Sequence, residues 1–135
     1  MGRFLRNLYI PLLSGSVSAG FPSPADDYVE DNIDLNEYLI KNPFSTFFLR
    51  VKGDSMVDSG IQNDDLIVVD KSLTPKLGSI VIAMIDGEFT VKRLARKNDE
   101  LYLKSENHDY PDLSFKNYYD IQIWGVVIYS IHHLG

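Results

Sequence analysis

The chain contains no cysteine, which removes disulfide frameworks and thiolate zinc sites and agrees with a reducing compartment. Positive charge is scarce as well: 13 lysines and arginines face 19 aspartates and glutamates, a formal net charge of −6. A surface of that sign repels a phosphate backbone, so direct sequence-specific DNA binding is not expected. Long apolar runs are also missing. Met1-Gly2-Arg3-Phe4-Leu5-Arg6-Asn7-Leu8-Tyr9-Ile10-Pro11 carries two arginines and scattered apolar residues, but no stretch of signal-peptide or membrane length. The expectation is a soluble, unsecreted, cytoplasmic protein with no membrane partner. Histidine is sparse, and His132 and His133 have no carboxylate or cysteine at ligand spacing, so neither a metal nor another cofactor is expected. His108 reads as part of an ordered loop rather than as a base.

What is present suits one globular domain with peripheral sequence: 135 residues, 44% hydrophobic and 24% charged. Ser14-Gly15-Ser16-Val17-Ser18-Ala19-Gly20-Phe21-Pro22-Ser23-Pro24 is built of small residues and closes on two prolines, which favour extended or turn backbone. It reads as a flexible linker, making 1–24 an N-terminal arm and 25–135 the folded domain. Asp26, Asp27, Glu30, Asp31, Asp34 and Glu37 follow; lacking histidine partners and calcium-loop spacing, they read as a solvated face. Asp34 is placed to cap a short helix, with Glu37 three residues on as in a capping box. Leu35, Tyr38 and Leu39 share its face, and Pro43 stops it.

Beyond Pro43 the chain becomes a series of short aromatic and β-branched runs, 47–51, 66–69, 80–85, 88–94, 101–103 and 121–131, separated by turn residues. Asp86-Gly87 between two of them is the strongest hairpin signal, a two-residue turn of the I′ kind. The fold expected is mainly β: a compact, mainly antiparallel domain with one or two short helices. Trp124, Tyr118 and Tyr119 are assigned to the core or a dimer surface rather than to base stacking. Arg93, Arg96 and Lys97 read as an ordinary basic rim.

Chemistry is suggested by a serine and a lysine. Ser55 stands in Gly53-Asp54-Ser55-Met56, where Gly53 permits a sharp turn. Ser55 would then project while the backbone amides of Asp54 and Ser55 face a developing oxyanion, with Met56 and Val57 anchoring the turn in the core. Lys92 lies on a strand whose alternation puts Thr90, Lys92 and Leu94 on one face and Phe89, Val91 and Arg93 on the other. A buried lysine loses its charge more readily, and the neutral amine can take a serine proton without a histidine. Thr90 would orient the amine.

These residues resemble a known family. Ala19-Gly20-Phe21-Pro22-Ser23-Pro24-Ala25, Gly53-Asp54-Ser55-Met56, Asp64-Asp65-Leu66-Ile67-Val68-Val69-Asp70, Gly87-Glu88-Phe89-Thr90-Val91-Lys92 and Trp124-Gly125-Val126-Val127-Ile128 occur in the order found in UmuD-type mutagenesis proteins. These are relatives of the self-cleaving domain of LexA-type repressors in the Ser-Lys peptidase family, and the resemblance spans about Pro11 to Ile131. It implies Ser55 as nucleophile, Lys92 as general base, and the chain's own Ala19-Gly20 bond as substrate. It also implies a bacterial cytoplasmic protein activated by a recombinase filament on single-stranded DNA during the SOS response. The fragment Gly20–Gly135 would form a homodimer and join the catalytic subunit of a Y-family DNA polymerase for translesion synthesis. Only 19 residues precede the cut, too few for a helix-turn-helix domain, so a repressor role is not expected. The competing reading is a non-catalytic module that binds the polymerase or the filament, with Ser55 and Lys92 as inert relics, which a separation of Oγ and Nζ far beyond hydrogen-bond reach would favour.

Overall fold

Short β-branched and aromatic runs punctuated by glycine and aspartate dictate a sheet of short strands joined by tight turns. The computed structural model describes residues 7–17, 19–20, 28–118 and 120–135, in two units, Met1–Lys41 and Asn42–Gly135. In the first unit, β1 (Tyr9–Leu13) pairs antiparallel with β2 (Val29–Asp34), and α1 (Leu35–Leu39) follows. The Asp34 carboxylate caps α1 by accepting from the Asn36 amide at 3.0 Å. The helix ends at Leu39 because Ile40 is already extended, three residues ahead of the proline expected to stop it. The β1–β2 pair was not foreseen, because Pro11 and the neighbouring acids weaken any strand pattern there. Asp26, Asp27, Phe21 and the prolines of the linker lie outside the described residues, as do Arg3, Arg6, Ser18 and Tyr119.

The second unit is a mainly β, antiparallel structure, as expected. Its strands are β3 (Thr46–Arg50), β4 (Leu66–Asp70), β5 (Ile80–Ile85), β6 (Glu88–Lys97), β7 (Glu100–Lys104), β8 (Leu113–Ser114) and β9 (Ile121–Ile131), in the spatial order β3-β4-β9-β5-β6-β7-β8. The last strand is therefore central, tying β4 to β5. Alternation along β5 feeds two cores. Ile82 packs with Met56, Ile61, Ile67 and Val69, while Val81 and Ala83 pack with Leu94 and Leu103. With both faces covered, β4 and β5 read as continuous apolar runs rather than alternating ones. Asp86 and Gly87 both have positive φ, 49° and 86°, as a I′ turn requires.

In this second unit two carboxylates are buried with the apolar residues. Asp70 accepts from the Asn42 amide group at 2.8 Å and from the Ser45 and Ser72 hydroxyls and the Ser72 backbone amide. Led by Asn42, these bonds outweigh burial and hold its pKa at about 2. Asp65 accepts from the Gln62 amide, the Ser130 hydroxyl and His132 Nδ1, the last at 2.5 Å. Burial pushes this carboxyl upward, but the three donors outweigh it and the net shift is down. His132 thus has a carboxylate partner, one that sequence spacing hides because it comes from the residue just before β4, 67 positions away.

Candidate active site

The serine turn is made by a backbone conformation and held by distant segments. Gly53 has φ +95°, and a Cβ added there would meet nothing within 4 Å, so the position needs glycine for its backbone angle and not for space. The Gly53 amide donates to Asn63 Oδ1 at 2.8 Å, and the Val57 amide closes the turn on the Asp54 carbonyl. Met56 is buried among Val51, Ile61, Ile67 and Val69 and anchors the turn. Val57 does not share that role: it is exposed at the start of a 3-10 turn, because that turn carries its side chain away from the sheet. Across the turn the Glu106 amide donates to the Ser55 carbonyl at 2.8 Å, and Asn107 Nδ2 donates to the Asp54 carbonyl at 2.9 Å. Among the described residues, the backbone amides of Asp54 and Ser55 donate to no backbone carbonyl.

The lysine arrives on β6. Lys92 pairs across the sheet with Val81 and Thr90 with Ala83, while Val91 pairs with Ile82. Val91 packs on the first core and Leu94 belongs to the second, so Lys92 stands on the strand between them. Its side chain is 6% exposed. Nζ lies 2.9 Å from Ser55 Oγ and donates to the Val91 carbonyl at 3.2 Å. Burial is the main influence on the amine and lowers its pKa from the ordinary lysine value; the Asp112 carboxylate acts in the opposite direction. Two residues far apart in sequence thus form one hydrogen-bonded pair, half-buried at the serine and buried at the lysine.

Ser55 borders a cleft of about 200 Å³ whose lining is mixed, with Thr90, Arg50 and Lys52 beside the apolar residues Leu49, Ile67, Ile82 and Phe89. Thr90 is on the cleft wall; among the described residues no hydrogen bond joins it to Lys92, whose second acceptor is the Val91 carbonyl. Phe89 stacks edge-on against Trp124, with ring centroids 5.1 Å apart, and Lys71 lies over the indole at 4.3 Å. Ala19 and Gly20 belong to the first unit and are exposed. Gly20 has no positive φ in this conformation, and a Cβ there would meet nothing within 4 Å. What it contributes here is a missing side chain rather than an unusual backbone angle.

Sequence reading missed the residues that brace the site. Arg93 was assigned to a basic rim, but its side chain is partly buried, forms an ion pair with Glu106 through Nε and donates from Nη1 to the Gly78 carbonyl. Arg96 and Lys97, by contrast, are exposed as expected. Asn107 and Asp112 carried no signal either, since their partners lie on other segments. His108 sits exposed in the same loop beside Asp109. Among the described residues there is no cluster of histidine, aspartate and glutamate suited to a metal, and no helix is long and apolar enough to cross a membrane.

A serine hydroxyl on a glycine turn is thus hydrogen-bonded to a buried lysine beside a cleft of mixed polar and apolar lining. The Peptidase S24-like family matches residues 11–128, and the chain belongs to it. Within that family it is 50% identical over 123 residues to the protein ImpA of Salmonella typhimurium, covering 90% of this chain and 83% of ImpA. MucA of Escherichia coli is 44% identical over 128 residues, 90% of this chain and 84% of MucA. The LexA repressor of Caldicellulosiruptor saccharolyticus is 40% identical over 129 residues, 96% of this chain but 62% of the repressor. The similarity to ImpA and MucA places the chain among the UmuD-like members.

Proposed function

We propose that this protein is a self-cleaving serine peptidase in which Ser55 attacks the chain's own Ala19-Gly20 bond and Lys92 is the general base. The observation that carries this reading is the 2.9 Å separation of Nζ and Oγ, with the amine buried and its pKa lowered. With Nζ neutral, the Ser55 hydroxyl donates to its lone pair. As Oγ bonds to the Ala19 carbonyl carbon, the proton passes to Nζ. The amides of Asp54 and Ser55 receive the oxyanion, a contribution of roughly 3–4 kcal/mol for a well-placed donor. Collapse breaks the C–N bond, and the proton moves from Lys92 to the Gly20 amine. Water then hydrolyses the Ser55 ester with Lys92 again taking the proton. The Val91 carbonyl holds the amine, and Thr90 flanks it on the cleft wall.

Cleavage removes the N-terminal arm, and the likeness to ImpA and MucA supports a role in SOS mutagenesis. On this reading a recombinase filament on single-stranded DNA is the activator. The Gly20–Gly135 homodimer is then an accessory subunit of a Y-family translesion polymerase in the bacterial cytoplasm. The tethered bond has a high effective concentration, so a site with few recognition contacts can still be cut. A non-catalytic binding module would have no need of a buried lysine directed at a serine hydroxyl.

Intact-mass analysis of the full chain tests this, both at alkaline pH and with an activated filament. The wild type is expected to lose residues 1–19, whereas Ser55→Ala and Lys92→Ala should slow the loss by roughly a thousandfold or more. Undiminished cleavage in Ser55→Ala would overturn the nucleophile assignment.

A further inference from the structure

We propose that the Arg93–Glu106 ion pair is a positioning clamp that sets the distance between the nucleophile and its base, an inference that rests on the Ser-Lys reading above. Arg93 is the residue after Lys92 on β6, so whatever holds Arg93 also fixes the backbone that carries the base. Glu106 is attached to the other half of the pair. Its amide donates to the Ser55 carbonyl at 2.8 Å, and its own carbonyl accepts from the Asp58 amide at 2.8 Å, so its backbone grips the serine turn on both sides of Met56. The side chains of Arg93 and Glu106 then join in an ion pair, with side-chain exposures of 31% and 18%.

Arg93 does more than pair. While Nε meets the carboxylate, Nη1 donates to the Gly78 carbonyl, and the Gly78 amide donates to the Leu94 carbonyl at 2.8 Å. The planar guanidinium spans two acceptors in a fixed fork, which a lysine ammonium cannot reproduce with the same geometry. The chain of fixed links runs from the Ser55 carbonyl through the Glu106 backbone and carboxylate to Arg93, then one peptide unit to Lys92. Besides the 2.9 Å Nζ–Oγ contact itself, these links tie the serine turn to the lysine strand. A base must stay within about 2.6–3.2 Å of the proton it takes, and small misplacements of reacting groups are costly. Neither Arg93 nor Glu106 touches the reacting atoms; both act through the residues they hold.

The test is a double-mutant cycle on self-cleavage of the full chain at alkaline pH, with thermal melts of each variant. Arg93→Gln and Glu106→Gln should each slow cleavage about tenfold or more, and the double variant should be no slower than the slower single, because either change breaks the same link. The pH midpoint of the rate should remain that of the wild type, since the clamp sets distance and not the ionisation of Lys92. Losses that multiply in the double variant, or a moved midpoint with an unchanged plateau, would overturn the clamp. If Glu106→Gln does not fold, Arg93→Lys decides. It keeps a cation opposite Glu106, so its rate should lie between wild type and Arg93→Gln, and a rate no better than Arg93→Gln would overturn the pairing. A wild-type chain that stays intact at alkaline pH and with filament would instead overturn the Ser-Lys reading itself.

Discussion

Lys92 is held between opposing influences. Burial among apolar side chains disfavours the ammonium and lowers its pKa, while the Asp112 carboxylate favours the ammonium and raises it, with burial the larger. On the proposed Ser-Lys reading the amine acts as a base only when neutral, so the cleavage rate should rise as pH increases through its folded pKa. Asp112→Asn removes the influence that keeps the proton on. The folded pKa of Lys92 then falls further, and the pH–rate profile of self-cleavage should move to lower pH with its plateau retained. A profile displaced to higher pH, or unmoved, would show that Asp112 does not act on the amine. The alternation with Thr90 and Leu94 put Lys92 on one face of its strand, but that pattern alone suits a surface lysine, and only its pairing with the Ser55 turn pointed to a base. Asp112 was not legible, because its place near the amine depends on the loop between β7 and β8.

At the scale of elements, the central position of β9 makes Gly125 critical. Here β9 passes between β4 and β5 with register shifts on both sides, and an added Cβ at Gly125 would come within 2.6 Å of Val69 Cγ1 and 3.3 Å of the Asp70 carbonyl oxygen. Val69 is fully buried and β-branched, so it has little freedom to retreat. Gly125→Ala should therefore destabilise the protein by roughly 1–3 kcal/mol, as overpacking does, measurable as a lower midpoint in urea. An unchanged midpoint would mean that β9 can shift sideways at no cost. The strand itself was legible as the long apolar run 121–131. Its insertion between β4 and β5 was not, because local periodicity says which face is apolar but not which strand is the neighbour. The β1–β2 pair was hidden for a related reason: Pro11 and the acids of β2 give neither strand an apolar alternation of its own.

For the whole molecule, the division into two units bears on what the proposed cleavage would do to stability. Both hydrophobic cores, the Ser55–Lys92 pair and the buried Asp65 and Asp70 networks lie within Asn42–Gly135. Removal of residues 1–19 strips β1 from β2 but leaves every one of those contacts intact. A chain beginning at Gly20 should therefore melt within a few degrees of the full-length protein, since a loss of 1 kcal/mol moves a domain of this size by only about 2–8 °C. Loss of cooperative unfolding in that fragment would show that the first unit carries part of the fold. Net negative charge acts at the same scale: at −6 the overall field of the molecule repels a phosphate backbone.

The amino-acid sequence by itself determined six strands of the larger sheet, the I′ turn at Asp86-Gly87, the cap at Asp34 and the identity of the serine and lysine, because each is set by neighbouring residues or by a spacing along one strand. Only the tertiary structure decided that Ser55 and Lys92 meet, that Val57 faces away while Met56 is buried, that His132 finds Asp65, and that Arg93 turns from the rim to Glu106. Each of those depends on segments brought together by the order of strands. That order is set by how two buried sheet faces pack, and no local pattern contains it.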